Sequence, residues 1–209
     1  MNARFPFLLF WILFSLQSWS KEIRHNFNDP KFQGKTPLDL NCGSTGDGKP
    51  MWMVEKDSTA PSTPLVLMQT GEAPFPWCVF SGSEIDSGFV EAKIKSVRGK
   101  YDQAAGIVWR FKDEKNYLIA RANSLEDNIA VFVMQNGRRR SVKSVDVPVA
   151  ANTWHSLRID FKGSQISVSF NNKKVLEVDD KRLLGPGRIG VWTKADSVSS
   201  FDDVAYGGK

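Results

Sequence analysis

Between residues 156 and 170 the chain alternates almost without a fault. Leu157, Ile159 and Phe161 share one face, while Ser156, Arg158 and Asp160 share the other. The turn Lys162-Gly163-Ser164 follows, and Ile166, Val168 and Phe170 repeat the pattern against Ser167 and Ser169. Period two in consecutive short runs predicts antiparallel strands with one buried face. Asn171-Asn172 turns the chain again into a strand over 175–178. Upstream, 89–95 alternates in part, and 106–111 is rich in β-branched and aromatic residues. Two more strands, 117–122 and 129–134, are joined by the loop 123–128. Asn136-Gly137 is the strongest short hairpin signal, because both residues tolerate positive φ in a type I′ turn; the return strand begins at Arg138. Residues 189–192 and 201–206 supply the last strands.

The first part of the chain is less regular. Residues 51–54 and 65–69 are short apolar runs that predict the first strands. Residues 73–77 contain Pro74 and Pro76 and read as a loop or an edge. Residues 21–50 are polar and rich in Gly, Asn, Asp and Pro, so they read as an irregular N-terminal segment of the same domain. No three-turn helix and no internal repeat emerges. Many short strands with turns every ten residues or so predict an all-β fold, a jelly-roll sandwich of two antiparallel sheets over 51–209.

The first twenty residues bear on compartment. A short basic start at 2–4 precedes the apolar run FPFLLFWILFSL at 5–16, and Ser18-Trp19-Ser20 places small residues around a bulky one. This is the pattern of a signal peptide at 1–20, with the mature chain beginning near Lys21. The run is shorter than the roughly 20 apolar residues a bilayer span needs, although a retained anchor is the alternative. No stable membrane insertion is expected after cleavage, and the protein is expected to be secreted or periplasmic. Two cysteines remain, Cys42 and Cys78. In an exported chain an even pair predicts one disulfide; in a reducing compartment they would be buried free thiols.

Composition narrows the function classes. An apolar fraction of 41% and a charged fraction of 24% over 209 residues fit one globular domain. The net charge of +5 is spread along the chain and mixed with acids, so it aids solubility and points away from nucleic acid. Arg138-Arg139-Arg140, just after the hairpin turn, reads as a solvated edge that discourages strand-to-strand aggregation rather than as a phosphate grip.

The segment WHSLRIDFKGSQISVSFNNKKVLEV at 154–178 resembles the late hairpins of concanavalin A-like lectin and glucanase domains, and RIGVWTKADSVSSFDDV at 188–204 looks like their closing strands. With GIVWRF and YLIARAN as central strands, the resemblance is closest to bacterial exported proteins of the 3-keto-disaccharide hydrolase domain family, similar in fold to family 16 glycoside hydrolases. It covers roughly residues 88–206 and implies fold more than activity, because this fold hosts many functions. Family 16 glucanases carry paired acids on one strand. Here Glu84-Ile85-Asp86 begins that motif, but the next acid is Glu91. At about 3.3 Å per residue the two glutamates lie roughly 23 Å apart and on opposite faces, whereas paired carboxylates act over about 5 to 9.5 Å. The motif is broken.

What remains is a constellation suited to a sugar: Trp109, Arg110, Tyr117, Arg121, Asn123, Trp192, Lys194 and Asp196. Aromatic faces stack on sugar C–H surfaces, and planar polar groups read hydroxyls. Arg110, Tyr117 and Arg121 are expected on the concave side of the central strands, with core packing of Trp109 and Trp192 as the alternative. The expected function is therefore lectin-like binding of a carbohydrate or glycoconjugate. Two alternatives stand beside it: cleavage of 3-keto-glycosides, with Asp196 or His155 as base and Arg110 or Arg121 as oxyanion stabiliser, and an envelope-interaction role without a small ligand. No cofactor is expected. Asp179, Asp180, Asp196, Asp202 and Asp203 near strand ends leave calcium open, with solvated acidic turns as the alternative.

Overall fold

The computed structural model describes residues 21–209, and the expected signal peptide at 1–20 lies outside them. The strands are β1 (Ile23–His25), β2 (Leu40–Thr45), β3 (Trp52–Lys56), β4 (Leu65–Gln69), β5 (Phe75–Phe80), β6 (Gly88–Arg98), β7 (Ala104–Asp113), β8 (Asn116–Asn123), β9 (Asn128–Gln135), β10 (Arg138–Asp146), β11 (His155–Lys162), β12 (Gln165–Phe170), β13 (Lys173–Asp179), β14 (Arg188–Thr193) and β15 (Val198–Gly208). One turn of 3₁₀ helix, Pro30–Phe32, lies between β1 and β2.

Two antiparallel sheets face each other. An eight-stranded sheet runs β13-β12-β11-β6-β15-β4-β3, with β1 added beside β15; a seven-stranded sheet runs β10-β9-β8-β7-β14-β5-β2. The alternating hairpin forms in the expected register, with Leu157 opposite Phe170, Ile159 opposite Val168 and Phe161 opposite Ile166. Its inward row joins an inter-sheet core that includes Ile94, Ile107, Trp109, Leu118, Val131, Val191 and Phe201. Burial of each such side chain contributes about 1.5–3 kcal/mol, so a one-residue slip, which would turn the row outward, is strongly disfavoured. Asn136 and Gly137 both hold positive φ (52° and 74°) between β9 and β10, and so do Asn171 and Asn172 between β12 and β13.

Two expectations are corrected. Residues 21–50 are not irregular throughout, because they contain β1 and β2. Polar composition hides β2, which is carried instead by pairing: Leu40 to Thr45 ladder against β5, and Cys42 lies directly opposite Cys78 and is disulfide-bonded to it. Residues 73–77 are neither loop nor edge throughout, because β5 runs between β2 and β14. Pro76 is tolerated there because the ladder to β14 covers only Trp77, Cys78 and Val79, so no ladder bond on that side is lost to the missing N–H.

Among the described residues no helix is long and apolar enough to cross a membrane.

Candidate functional site on the concave sheet

The seven-stranded sheet is apolar on both faces. Its inner rows belong to the inter-sheet core. Its outer rows form a second cluster that includes Trp77, Val108, Phe111, Tyr117, Ile119, Phe132, Met134 and Trp192. These rows are buried because the sheet curls over them. The Tyr117 hydroxyl on β8 lies 2.7 Å from the Thr45 hydroxyl on β2, although four strand spacings would separate those strands by about 19 Å in a flat sheet. The Arg139 guanidinium on β10 lies 5.1 Å from the Phe75 ring on β5 and 4.4 Å from the Phe132 ring. This outer face is therefore concave.

Its floor is a run of aromatic contacts. Phe75 stacks on Trp192 at 6.2 Å, Trp77 meets Phe111 at 4.7 Å, and Phe111 stacks on Tyr117 at 5.4 Å. Trp77 lies over Gly43 of β2, where a Cβ would come within 2.8 Å of the indole. Phe75 and Arg139 remain half-buried, while Trp77 and Phe132 show only 7% and 8% of their surface. Burial pushes the Tyr117 phenol up to about 12, with Thr45 and Trp192 opposing it, so it stays protonated at neutral pH.

A polar rim closes one end of the floor. Arg121 donates to Asn128 (2.9 Å) and to Glu126 (2.6 Å). Gly106 on β7, opposite Arg121, leaves room for it, since a Cβ there would stand 3.0 Å from that of Arg121. Lys194 pairs with the buried Asp102. Asn123 donates to Asp102 (2.9 Å) and accepts from the amides of Leu125 (2.9 Å) and Glu126 (3.3 Å), joining the β6–β7 loop to the β8–β9 loop. Burial raises the Glu126 carboxyl, but Arg121, Asn128 and Lys194 outweigh it and hold it below the ordinary value. Tyr101 and Leu125, in those two loops, are 73% and 52% exposed.

Of the eight residues singled out in the sequence, Tyr117, Arg121, Asn123, Trp192 and Lys194 lie on this side of the sheet. Tyr117, Asn123 and Trp192 are fully buried there, so that Trp192 packs as core, the alternative reading. Trp109 does not share this side: it lies in the inter-sheet core, 6.4 Å from Phe161. Arg110 does not either. A bulge after Trp109 breaks the alternation and gives Arg110 positive φ (49°). Its buried guanidinium lies 5.4 Å from the Phe161 ring and donates to the carbonyls of Leu183 (3.1 Å), Asp86 (3.3 Å) and Gly163 (2.6 Å). Asp196 stands at the rim but accepts from the amides of Lys100 (2.6 Å), Tyr101 (3.1 Å) and Asp102 (3.0 Å). Burial raises its carboxyl, and these bonds more than reverse that. Its work is to shape the β6–β7 loop.

His155 begins β11 in the other sheet, its Nε2 3.0 Å from the Ala150 carbonyl and its Nδ1 3.0 Å from the Asn171 amide. Both ring nitrogens are occupied, and His155 on the eight-stranded sheet is remote from the concave face of the other sheet, whereas Asp196 lies in the β14–β15 loop. Glu84 sits in the loop before β6, and Glu91 pairs with Arg158 (3.4 Å) on the eight-stranded sheet, so neither reaches the concave face. The carboxylates near strand ends are dispersed: Asp180 pairs with Arg182, and Asp202 accepts from the Ser62 amide and hydroxyl (2.7 Å each). Among the described residues no group of three or more His, Cys, Asp or Glu is placed to hold a metal ion.

Sequence reasoning missed Phe75, Trp77, Asp102, Glu126, Asn128, Phe132 and Arg139. One signal was available. The unbroken run 129–134 is apolar at every position, which implies a strand covered on both faces. For Arg139 the edge reading needs correction. Arg138 and Arg140 are exposed on the edge strand β10, but Arg139 faces the other way and folds over Phe132.

A separate cavity of about 790 Å³ opens at one end of the eight-stranded sheet, lined by Phe89, Asp160, Lys162, Gln165, Ser167 and Glu177 among others. The Phe89 ring there is covered by Arg158 at 4.0 Å, and Arg158 is held by Asp160 (2.7 Å) and Glu91. The Phe89 ring is thus already covered by a paired cation, while Lys162 and Lys209 also line the cavity.

Two facing antiparallel sheets, one curled over an aromatic floor, define a concanavalin A-like jelly-roll sandwich. The solved structures it resembles agree. A carbohydrate-binding module, CBM66 from Bacillus subtilis, matches with a TM-score of 0.64 at 17% identity, over 78% of this chain and 92% of that one. A Bacillus subtilis protein of unknown function with a galectin-like fold matches at 0.57 and 12%, over 80% and 88%. The β-glucanase of Bacillus licheniformis matches at 0.55 and 12%, over 90% and 98%. At these identities the likeness establishes the fold. No family model and no curated protein matches the chain.

Proposed function

We propose that this is an exported carbohydrate-binding protein whose ligand lies on the concave face of the seven-stranded sheet. The observation that carries the reading is the aromatic floor of Phe75, Trp77 and Phe132, bordered by Arg121, Asn128, Lys194 and Arg139. Aromatic surface gives a sugar ring its apolar contact, and fixed planar donors and acceptors read its hydroxyls. Tyr101, exposed on a loop tied to the rim, adds a further aromatic surface. The likeness in fold to a carbohydrate-binding module and a β-glucanase supports the reading.

Cleavage of 3-keto-glycosides, the other reading of the same site, needs a free base. Asp102 and Glu126 on this face are each held by a cation, and Asp196 and His155 are saturated with hydrogen bonds. Binding is the function these groups fit.

A glycan array followed by calorimetry tests it. A glycan should bind saturably, and Trp77→Ala, which costs about 3–5 kcal/mol of stability, should weaken binding by about tenfold or more when measured below its unfolding transition. No binding across the array and by calorimetry, or a Trp77→Ala variant that binds like the wild type, would overturn the proposal. Pull-down of a protein partner without glycan would then favour the envelope-interaction role.

A further inference from the structure

We propose that the saccharide taken by this face is acidic, and that its anionic oxygen group, carboxylate or sulfate, is bound by Arg139. The inference rests on the carbohydrate reading and adds the ligand's charge.

Two of the cations on this face are paired with acids, while the guanidiniums of Arg139 and, over Phe111, of Arg188 stand outside any ion pair among the described residues. Lys194 is paired with Asp102, and Arg121 with Glu126. Arg139 has no ion pair, and its guanidinium has no hydrogen-bond acceptor among the described residues. It lies over two rings, Phe132 and Phe75, with Arg121 as a like-charged neighbour and the already paired Asp102 and Glu126 as acidic ones. Its Nη1 is buried without a partner. Further buried donors on the same face lack acceptors, among them Arg121 Nε and Trp77 Nε1. A native fold leaves few such groups, and each costs about 1–3 kcal/mol while unsatisfied.

A face with surplus donors calls for a partner rich in acceptors. A neutral sugar brings hydroxyls that donate as well as accept. An ionised carboxylate or sulfate only accepts, and its charge suits a guanidinium that stands outside any ion pair. Stacking on Phe132 and Phe75 fixes the plane of the guanidinium, which suits a forked contact to two oxygens.

Calorimetry on the full mature chain with matched pairs tests this. Galacturonate oligosaccharides are compared with their carboxyl-reduced neutral counterparts, and sulfated galactan oligosaccharides with their desulfated counterparts; the two pairs separate carboxylate from sulfate. One acidic series should bind about ten- to a hundredfold tighter than its neutral partner, the worth of a charged hydrogen bond. That ratio should shrink as salt is raised. Arg139→Gln should abolish the ratio, whereas Arg140→Gln, on the opposite side of the edge strand, should preserve it. Equal affinity for acidic and neutral partners, or a ratio that survives Arg139→Gln, would overturn the inference and leave the carbohydrate reading standing. Absence of binding to either series and to every array glycan would overturn both. If Arg139→Gln lowers the melting temperature too far for titration, the salt dependence of the wild-type ratio decides alone.

Discussion

Arg110 offers the sharpest division between a structural and a ligand-binding arginine. Arg110→Met keeps the apolar stem in place and removes the guanidinium. Three carbonyl acceptors, on Leu183, Asp86 and Gly163, then lose their donor. A hydrogen bond to a charged group contributes about 1.5–3 kcal/mol. The sum overstates the loss, because burial already penalises the charge: it lowers the Arg110 pKa, with Asp86 opposing. The three acceptors belong to three separate loops, which the side chain ties together. A net loss of about 2–4 kcal/mol is expected, the range of a disrupted buried network. For a domain of this size that lowers the melting temperature by about 5–15 °C. Urea and thermal unfolding followed by tryptophan fluorescence measure it, with glycan affinity measured below the transition. Affinity should be unchanged, because the guanidinium lies on the inner side of the sheet. Unchanged stability with lost binding would refute the placement of Arg110 and return it to the ligand site.

Three further outcomes are expected. Cys42→Ser with Cys78→Ala removes a cross-link spanning 36 residues and should cost about 4 kcal/mol in the chain-entropy model; titration of the unreduced wild type should find no free thiol, and two would contradict the bond. Asp57 forms a largely buried pair with Lys95, and although burial raises its carboxyl, Lys95 and Thr59 together hold it below 3.8. Its contribution is complete above that value and is lost as pH falls through the lowered one, so Asp57→Asn should cost about 3–5 kcal/mol near neutrality and flatten the acid limb of the stability profile; an unchanged limb would contradict the pairing. Gly43→Ala places a methyl 2.8 Å from the Trp77 indole, and should tilt that ring and weaken glycan binding with little loss of stability; wild-type affinity would argue that Trp77 does not touch the ligand.

The sandwich was legible because alternation and turn chemistry agreed. Leu157 through Phe170 and the Asn-Gly turn each dictate one local structure, and the sheet assembles from them. What the pattern could not show is set by partners distant in sequence. Polar β2 becomes a strand through β5 and the Cys42–Cys78 bond. Strict alternation from inward-facing Trp109 would send Arg110 outward with Tyr117, and only the bulge turns it inward. Tyr117, Arg121, Asn123 and Trp192 were readable as polar or aromatic residues on central strands, and Lys194 as the residue just past the end of one. Arg139 was not, because its place above Phe132 and Phe75 follows from curvature across five strand spacings, and curvature leaves no mark in local periodicity.

The ligand's location tests the account most directly. Backbone amide shifts of isotope-labelled protein, followed by NMR during titration with the best-binding oligosaccharide, should move at Phe75, Trp77, Tyr101, Arg121, Phe132 and Arg139. They should stay still around the cavity lined by Phe89, Gln165 and Glu177. Shifts confined to that cavity, with the seven-stranded sheet silent, would contradict the claim that the curled aromatic face is where this protein meets its sugar.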